Sequence, residues 1–258
     1  MAAWELLAPR RRPSVGRARR WPSNLGIAAL NVAIVRVLIP VAAVDIAGLG
    51  ELQNWGLFNN LAPAFDEYLP WAAIVPSVIL LDLAIYLQHV MFHAVPALWR
   101  LHRMHHADLD FDVSTGLRFH PGEILISAVI KLAAVVSIGA PPQAVLAFEV
   151  VLNATSMFNH SNVRLPAGTD RVLRLFMVTP DMHRVHHSVV RAETNSNFGF
   201  NLSWWDRWLG TYRAQPAAGH LGMTIGLEQF RDPADLRLDR MLLQPWRGAA
   251  GAYPIGGQ

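Results

Sequence analysis

The sequence predicts an all-α integral membrane protein, with about four transmembrane helices beneath a cytosolic, histidine-rich helical cap. Three observations lead there. Of the 258 residues, 52% are hydrophobic and only 16% charged, against roughly 25% charged in soluble globular chains. Long apolar stretches alternate with polar connections. Ten of the eleven histidines fall between His89 and His187, at or beyond the ends of those stretches.

The first apolar stretch runs from Leu25 to about Ala47 and is interrupted by Arg36, Pro40 and Asp45. At about 1.5 Å per residue it is long enough to cross a hydrocarbon core of roughly 30 Å. The second runs from Tyr68 to His89. The third (Glu123 to Gly139) and fourth (Gln143 to about Phe158) are separated only by "APPQ", where proline marks a reversal, so the two read as a helical hairpin. Lys131 and Glu149 lie at similar depth on its arms and are expected to pair, because an isolated charge inside a bilayer is costly.

Arginines set the expected topology. Six of them (Arg10, Arg11, Arg12, Arg17, Arg19 and Arg20) crowd the first twenty positions, whereas the connection between spans one and two carries Glu51, Asp66 and Glu67 but no Lys or Arg. Positive residues stay on the cytoplasmic side, which places both termini and every histidine of interest there. Trp21, Trp55, Trp71 and Trp99 fall near predicted span ends, where indole rings favour the interface. The chain divides into a basic N-terminal tail (1–24), a membrane domain (25–213) and a C-terminal cytosolic tail (214–258). The basic run has no interleaved aromatics, so it reads as juxtamembrane, and no nucleic-acid module, phosphate loop or dinucleotide fingerprint appears. The chain has no cysteine, which excludes thiol nucleophiles and leaves His, Asp and Glu as metal ligands.

The histidines form three boxes. "HVMFH" puts His89 and His93 one helical turn apart on one face, with Asp82 two turns earlier as a candidate acceptor for a ligand imidazole. "HRMHH" puts His105 and His106 three and four residues after His102. "HRVHH" repeats the pattern with His183, His186 and His187. Adjacent histidines on a helix point about 100° apart and so can serve two neighbouring metals. His160, at the end of the fourth span, is a ninth candidate. Eight or nine imidazoles exceed the four that one zinc takes, haem does not call for adjacent His-His, and the Glu-x-x-His motifs of a carboxylate-bridged bundle are absent. A histidine-rich dinuclear centre accounts for all the boxes, while imidazole alone does not choose among zinc, copper, iron and nickel.

The order H-x3-H, H-x2-H-H, H-x2-H-H around paired spans resembles the fatty acid hydroxylase and sterol desaturase superfamily. The likeness extends to "STGLRFHPGE", "FNHSNVRLP" and "NSNFGFNLSWWDRWLGTY" and covers about residues 75 to 213. It implies a membrane enzyme whose two iron ions use O2 to hydroxylate or desaturate a C–H bond of a membrane lipid. Carried over by resemblance, the metal ligands are His89, His93, His102, His105, His106, His160, His183, His186 and His187. His120 in "HPGE" matches a recurrent family histidine, as a possible ligand or a partner of one. No electron-transfer domain is evident, so electrons are expected from a separate donor, cytochrome b5-like or a ferredoxin with its reductase.

Other positions have plainer readings. Asn195 and Asn197, with Phe198 and Gly199, follow the last box and are candidates to orient its histidines. Trp204, Trp205, Asp206 and Trp208 read as an interfacial anchor. Arg103 and Arg184 are expected either to pair with acidic groups such as Asp108, Asp181 or a lipid phosphate, or to hold loop structure. His220 lies outside every box and is expected to be exposed. Two alternatives to hydroxylation remain: cleavage of an ether lipid with a pterin donor, as the last box also resembles the alkylglycerol-monooxygenase branch, and a non-catalytic membrane metal-binding protein.

Overall fold

The computed structural model describes residues 1–65 and 70–255, with the side chains of 62–71 left aside. Among the described residues all regular structure is helical, and the extended pairings are three isolated bridges. Asp66, Glu67, Tyr68 and the Trp71 side chain, used above for topology and span ends, lie outside this description.

Two helices open the chain: α1 (Ala2–Leu7) and α2 (Arg17–Leu38). Within the first expected span, Leu25 to Ala47, the helix stops at Leu38 and restarts as α3 (Ala43–Leu52), followed by α4 (Leu57–Phe65). Pro40 supplies the break, since it lacks an amide hydrogen and pushes the preceding residue out of helical geometry. The second span is α5 (Pro70–Ala94), and α6 (Pro96–His106) follows it directly. The hairpin is α7 (Pro121–Ile138) and α8 (Pro142–Asn159). Gly139 ends α7 at φ 66°, where a Cβ would lie 2.8 Å from the Trp55 carbonyl oxygen, so both the conformation and the close approach require glycine.

Three stretches are long and apolar enough to cross a membrane: Arg17–Leu61, Ala72–Ala94 and Pro121–Ile138. The expected fourth, α8, is not among them; Gln143, Glu149, Asn153 and Asn159 dilute its apolar character. The helices α3, α5, α7 and α8 pack around Leu81, Ile85, Val135, Val145 and Phe148. Lys131 and Glu149 pair across α7 and α8 as expected, 2.5 Å apart.

The cap is built from short helices: α9 (Ala167–Leu173), α10 (Pro180–His186), α11 (Arg191–Thr194), α12 (Trp204–Trp208), α13 (Gly219–Gly222) and α14 (Leu238–Leu243). Proline at the first helical position, where no amide hydrogen is needed, starts α6, α7 and α10.

Both ends of the chain are built into the cap. The boundary placed at residue 24 falls inside α2. Arg20 is fully buried and donates to Asp108 through Nε and Nη2 and to Asp112 through Nη1, each at 2.7 Å. Glu5 on α1 accepts from the Val113 and Asn162 amides, and Arg10 reaches Asp181 on α10. At the other end, Ile255 donates its amide to the His93 carbonyl. Trp99, expected at the interface, is instead buried, stacked on Tyr253 and donating to the Ala250 carbonyl. Arg103 follows the second of its two readings and holds loop structure: it donates to the carbonyls of Gln244, Arg247 and Ala249 and pairs with no acid among the described residues.

Removing one member of a buried ion network leaves its partners charged and unpaired, at about 3–5 kcal/mol. Arg20→Ala is therefore expected to lower stability by that amount in detergent, whereas exposed Arg19→Ala on the same helix leaves it within about 0.5 kcal/mol. Equal thermal unfolding midpoints for the two variants would contradict this placement of Arg20.

Candidate metal centre

Nine histidines from four segments meet where α5, α6, α8 and α10 come together, and all nine are buried. They fall into two groups, and within each the candidate ligand nitrogens all lie within 4.8 Å of one another. One holds His89, His93, His102, His106 and His186; the other holds His105, His160, His183 and His187. The two similar boxes are shared crosswise. "HRMHH" gives its first and last histidines to the five-membered group and His105 to the other, while "HRVHH" gives its first and last to the four-membered group and His186 to the first. The helical angle between neighbouring positions separates each adjacent pair.

The tautomers follow from the outer hydrogen bonds. His89 Nδ1 donates to the Phe198 carbonyl, His186 Nδ1 to the Ser196 carbonyl and His160 Nδ1 to the Ser156 carbonyl, at 2.8–2.9 Å. His93 Nδ1 faces Asn195 Oδ1 at 3.0 Å, and that amide is oriented because its Nδ2 donates to the Tyr253 carbonyl. His102 Nδ1 lies 2.6 Å from Glu123 Oε1. With the proton on Nδ1, each Nε2 is a bare lone pair. Yet Nε2 of His89 lies 3.2 Å from that of His102 and 3.0 Å from that of His186. Acceptors converging in this way repel unless a cation sits between them. The spacing also suits adjacent nitrogens about 2.1 Å from a shared ion, which lie roughly 3 Å apart. The donor set therefore fits metal in the five-membered group; in the other, four buried imidazoles meet and both nitrogens of His187 are left without a hydrogen-bond partner among the described residues, which fits a metal there too.

Desolvation, then the neighbouring imidazoles, holds His105, His106, His183, His186 and His187 well below the ordinary imidazole value. Burial lowers His160 to about 4. These rings are neutral at pH 7, the form that ligates. Apolar rings pack around them: Phe119 stacks on His105 at 4.4 Å, and Phe198 meets His89, His93 and His186 edge-on.

Several other positions act differently from the sequence expectation. Asp82 touches no imidazole. Its carboxylate accepts from the Asn201 and Leu202 amides and from Trp205 Nε1, so it fixes the loop that follows the last box. Asn197 also misses the imidazoles; at φ 54° its side chain bridges Met182 and Arg213. Of the two asparagines, Asn195 alone orients a histidine, and that histidine belongs to the first box. Asp206 accepts from the Phe198 and Gly199 amides and so completes the loop's anchorage; a Cβ at Gly199 would lie 2.6 Å from its carboxylate. Of the tryptophans expected to form an anchor, Trp205 is buried against Asp82, whereas Trp208 is 68% exposed.

His120 uses both nitrogens elsewhere: Nδ1 accepts from the Gly122 amide at the start of α7 and Nε2 faces the Leu242 carbonyl. It joins neither group. His220, expected to be exposed, is buried near Asp181. Arg184 does pair with Asp181, as one expectation had it. Glu123 is the site residue that sequence reasoning missed. Its signal was an acidic residue in the first turn of an apolar helix, within the quoted "HPGE".

A cavity of about 690 Å³ opens from the centre between α2, α5, α7 and α8. Its inner end is lined by His89 and His102 from one group, His105 and His183 from the other, and Glu123. Val35, Ile85, Ile124 and Leu152 make its walls largely apolar.

Residues 74–211 match the fatty acid hydroxylase family. Similar proteins include the ornithine lipid hydroxylase OlsE of Rhizobium tropici, 32% identical over 62% of this chain and 48% of the relative. Alkylglycerol monooxygenase of Homo sapiens is 30% identical over 69% of this chain and 38% of its own. Cholesterol 25-hydroxylase of Rattus norvegicus is 28% identical over 66% and 57%, respectively. The chain thus spans about half the length of these relatives. No solved structure matches it.

A partner that orients a metal-binding histidine typically contributes about 10–100-fold in metal affinity. Glu123→Ala is expected to weaken binding by that factor in chelator competition. His120→Ala should keep the affinity while losing about 1 kcal/mol with the helix cap. Unchanged affinity in the Glu123 variant would contradict its assignment to His102.

Proposed function

Because the chain belongs to the fatty acid hydroxylase family, we propose that it is a membrane-bound oxidoreductase in which two iron ions and O2 hydroxylate or desaturate a C–H bond of a lipid. One observation carries this reading: imidazoles from both groups line the inner end of a single, largely apolar cavity. His89, His93, His102, His106 and His186 would hold one ion, and His105, His160, His183 and His187 the other. When bound, the iron pair supplies the redox chemistry that reduces O2 and oxidises an unactivated C–H bond.

The protein's own residues supply binding, orientation and dryness. Val35, Ile85, Ile124 and Leu152 receive an apolar chain and exclude water from its path. The outer hydrogen bonds from Glu123, Asn195 and the Ser196, Phe198 and Ser156 carbonyls keep protons on Nδ1 and fix the ring planes. The apolar rings of Phe119 and Phe198 shield the imidazoles from solvent. The reading includes a separate electron-donor protein and a cytoplasmic site, the latter supported by the arginine-rich N-terminal segment packed on the cap.

The likeness to alkylglycerol monooxygenase supports ether cleavage as a second reading, and the products discriminate. Purified protein loaded with iron, given reductant and membrane lipids under ¹⁸O₂, is expected to consume oxygen and yield a hydroxylated lipid carrying one label. A double bond without label marks desaturation, and a released aldehyde marks ether cleavage. His105→Ala and His186→Ala should each abolish product. A chain that holds zinc tightly and shows no turnover with iron would leave the metal-binding alternative standing.

A further inference from the structure

The cavity changes character along its length. Beyond its apolar middle it is lined by Arg36, Lys131, Glu149 and Asn153. Three helices place these groups at similar distances from the imidazoles. On α2, Asn31 is held at the inner end by its bond to the Phe119 carbonyl, and Arg36 lies five residues on, about 8 Å along the helix. On α7, Lys131 lies eight residues beyond Glu123, about 12 Å. On α8, Glu149 lies seven residues before Ser156, the acceptor of His160, about 10 Å. Glu149 is taken up by Lys131, and Asn153 donates to the Glu149 carbonyl. Arg36, exposed on the cavity's outer part, is in no ion pair with a carboxylate among the described residues. Two cations and one anion leave the ring with a single positive charge inside a stretch apolar enough to span a bilayer. Such a charge is retained where it faces a polar cavity and a partner for it.

We propose that this ring is the binding site for the anionic group of the substrate, a carboxylate or phosphate, with Arg36 as its main contact and the Lys131–Glu149 pair as its floor. The inference rests on the lipid-oxidation reading and narrows it to amphiphiles bearing an anion. With that group held at the ring, the attached chain lies along Val35, Ile85 and Leu152, and a C–H bond within the chain reaches the imidazoles. A planar guanidinium suits either anion through paired hydrogen bonds.

The test is binding by the full metal-replete chain in detergent under anaerobic conditions, so that no ligand is turned over. Palmitate, hexadecyl phosphate and hexadecanol are titrated while thermal unfolding is followed. At least one anionic amphiphile is expected to bind about tenfold more tightly than hexadecanol, and the better of the two identifies the anion. Arg36→Gln should reduce that affinity about tenfold and leave hexadecanol unchanged, which also shows that the variant is folded; Arg36→Lys should recover part of the loss. Arg19→Gln, on the same helix but outside the cavity lining, should behave as wild type, separating the ring from general attraction of anions to a basic protein. Equal affinity for all three amphiphiles, or unchanged anion affinity in Arg36→Gln, overturns the proposal. Binding needs no oxygen chemistry, so failure of the catalytic reading shows separately, as absent product in the oxygen assay.

Discussion

The convergence of bare imidazole nitrogens on two points is the constraint to which the rest of the structure answers. Nine buried rings, five of them with Nδ1 committed to an outer partner and Nε2 turned inward, form an arrangement that hydrophobic packing alone would not select, because each such Nε2 gives up hydration. A cation between such nitrogens would convert their repulsion into attraction. The outer hydrogen bonds then become intelligible: each moves a proton to Nδ1 and leaves Nε2 free for the interior.

The partners that set the rings come from distant parts of the chain. Asn195 orients His93 but is itself oriented by the Tyr253 carbonyl, and Ile255 bonds the backbone of His93 directly. Asp82 and Asp206 hold the loop whose carbonyls receive His89 and His186. Arg20 locks α2 to the segment following "HRMHH". Helix bundle, cap and both termini thus serve one set of angles. The cavity is what remains when α2, α5, α7 and α8 are held at the spacing those angles need.

Local geometry was legible in the sequence. Helical periodicity was enough to anticipate that His105 and His106 would part and that His89 and His93 would share a face, and similar depth on the two arms of a hairpin that Lys131 would meet Glu149. What stayed hidden depends on contacts between residues far apart in sequence. An aspartate seven residues before His89 invites pairing with it, but its burial beside the loop amides of Asn201 and Leu202 comes from how α5 packs on the cap. Trp99 carried the ordinary signal of an interfacial tryptophan; Tyr253, over 150 residues later, takes it into the core. Arg20 looked like one of a basic run until the fold brought Asp108 and Asp112 to it. The break at Pro40 was written in the sequence, as an interruption of the first apolar stretch.

The central claim is two metal ions, divided between the histidine groups as the crossed boxes divide them. Anomalous diffraction at the iron edge from crystals of the iron-loaded chain tests it most directly. The account predicts two peaks, one within bonding distance of nitrogens from His89, His93, His102, His106 and His186, the other within reach of His105, His160, His183 and His187. A single peak, or one ligated by His120 or His220, would contradict it.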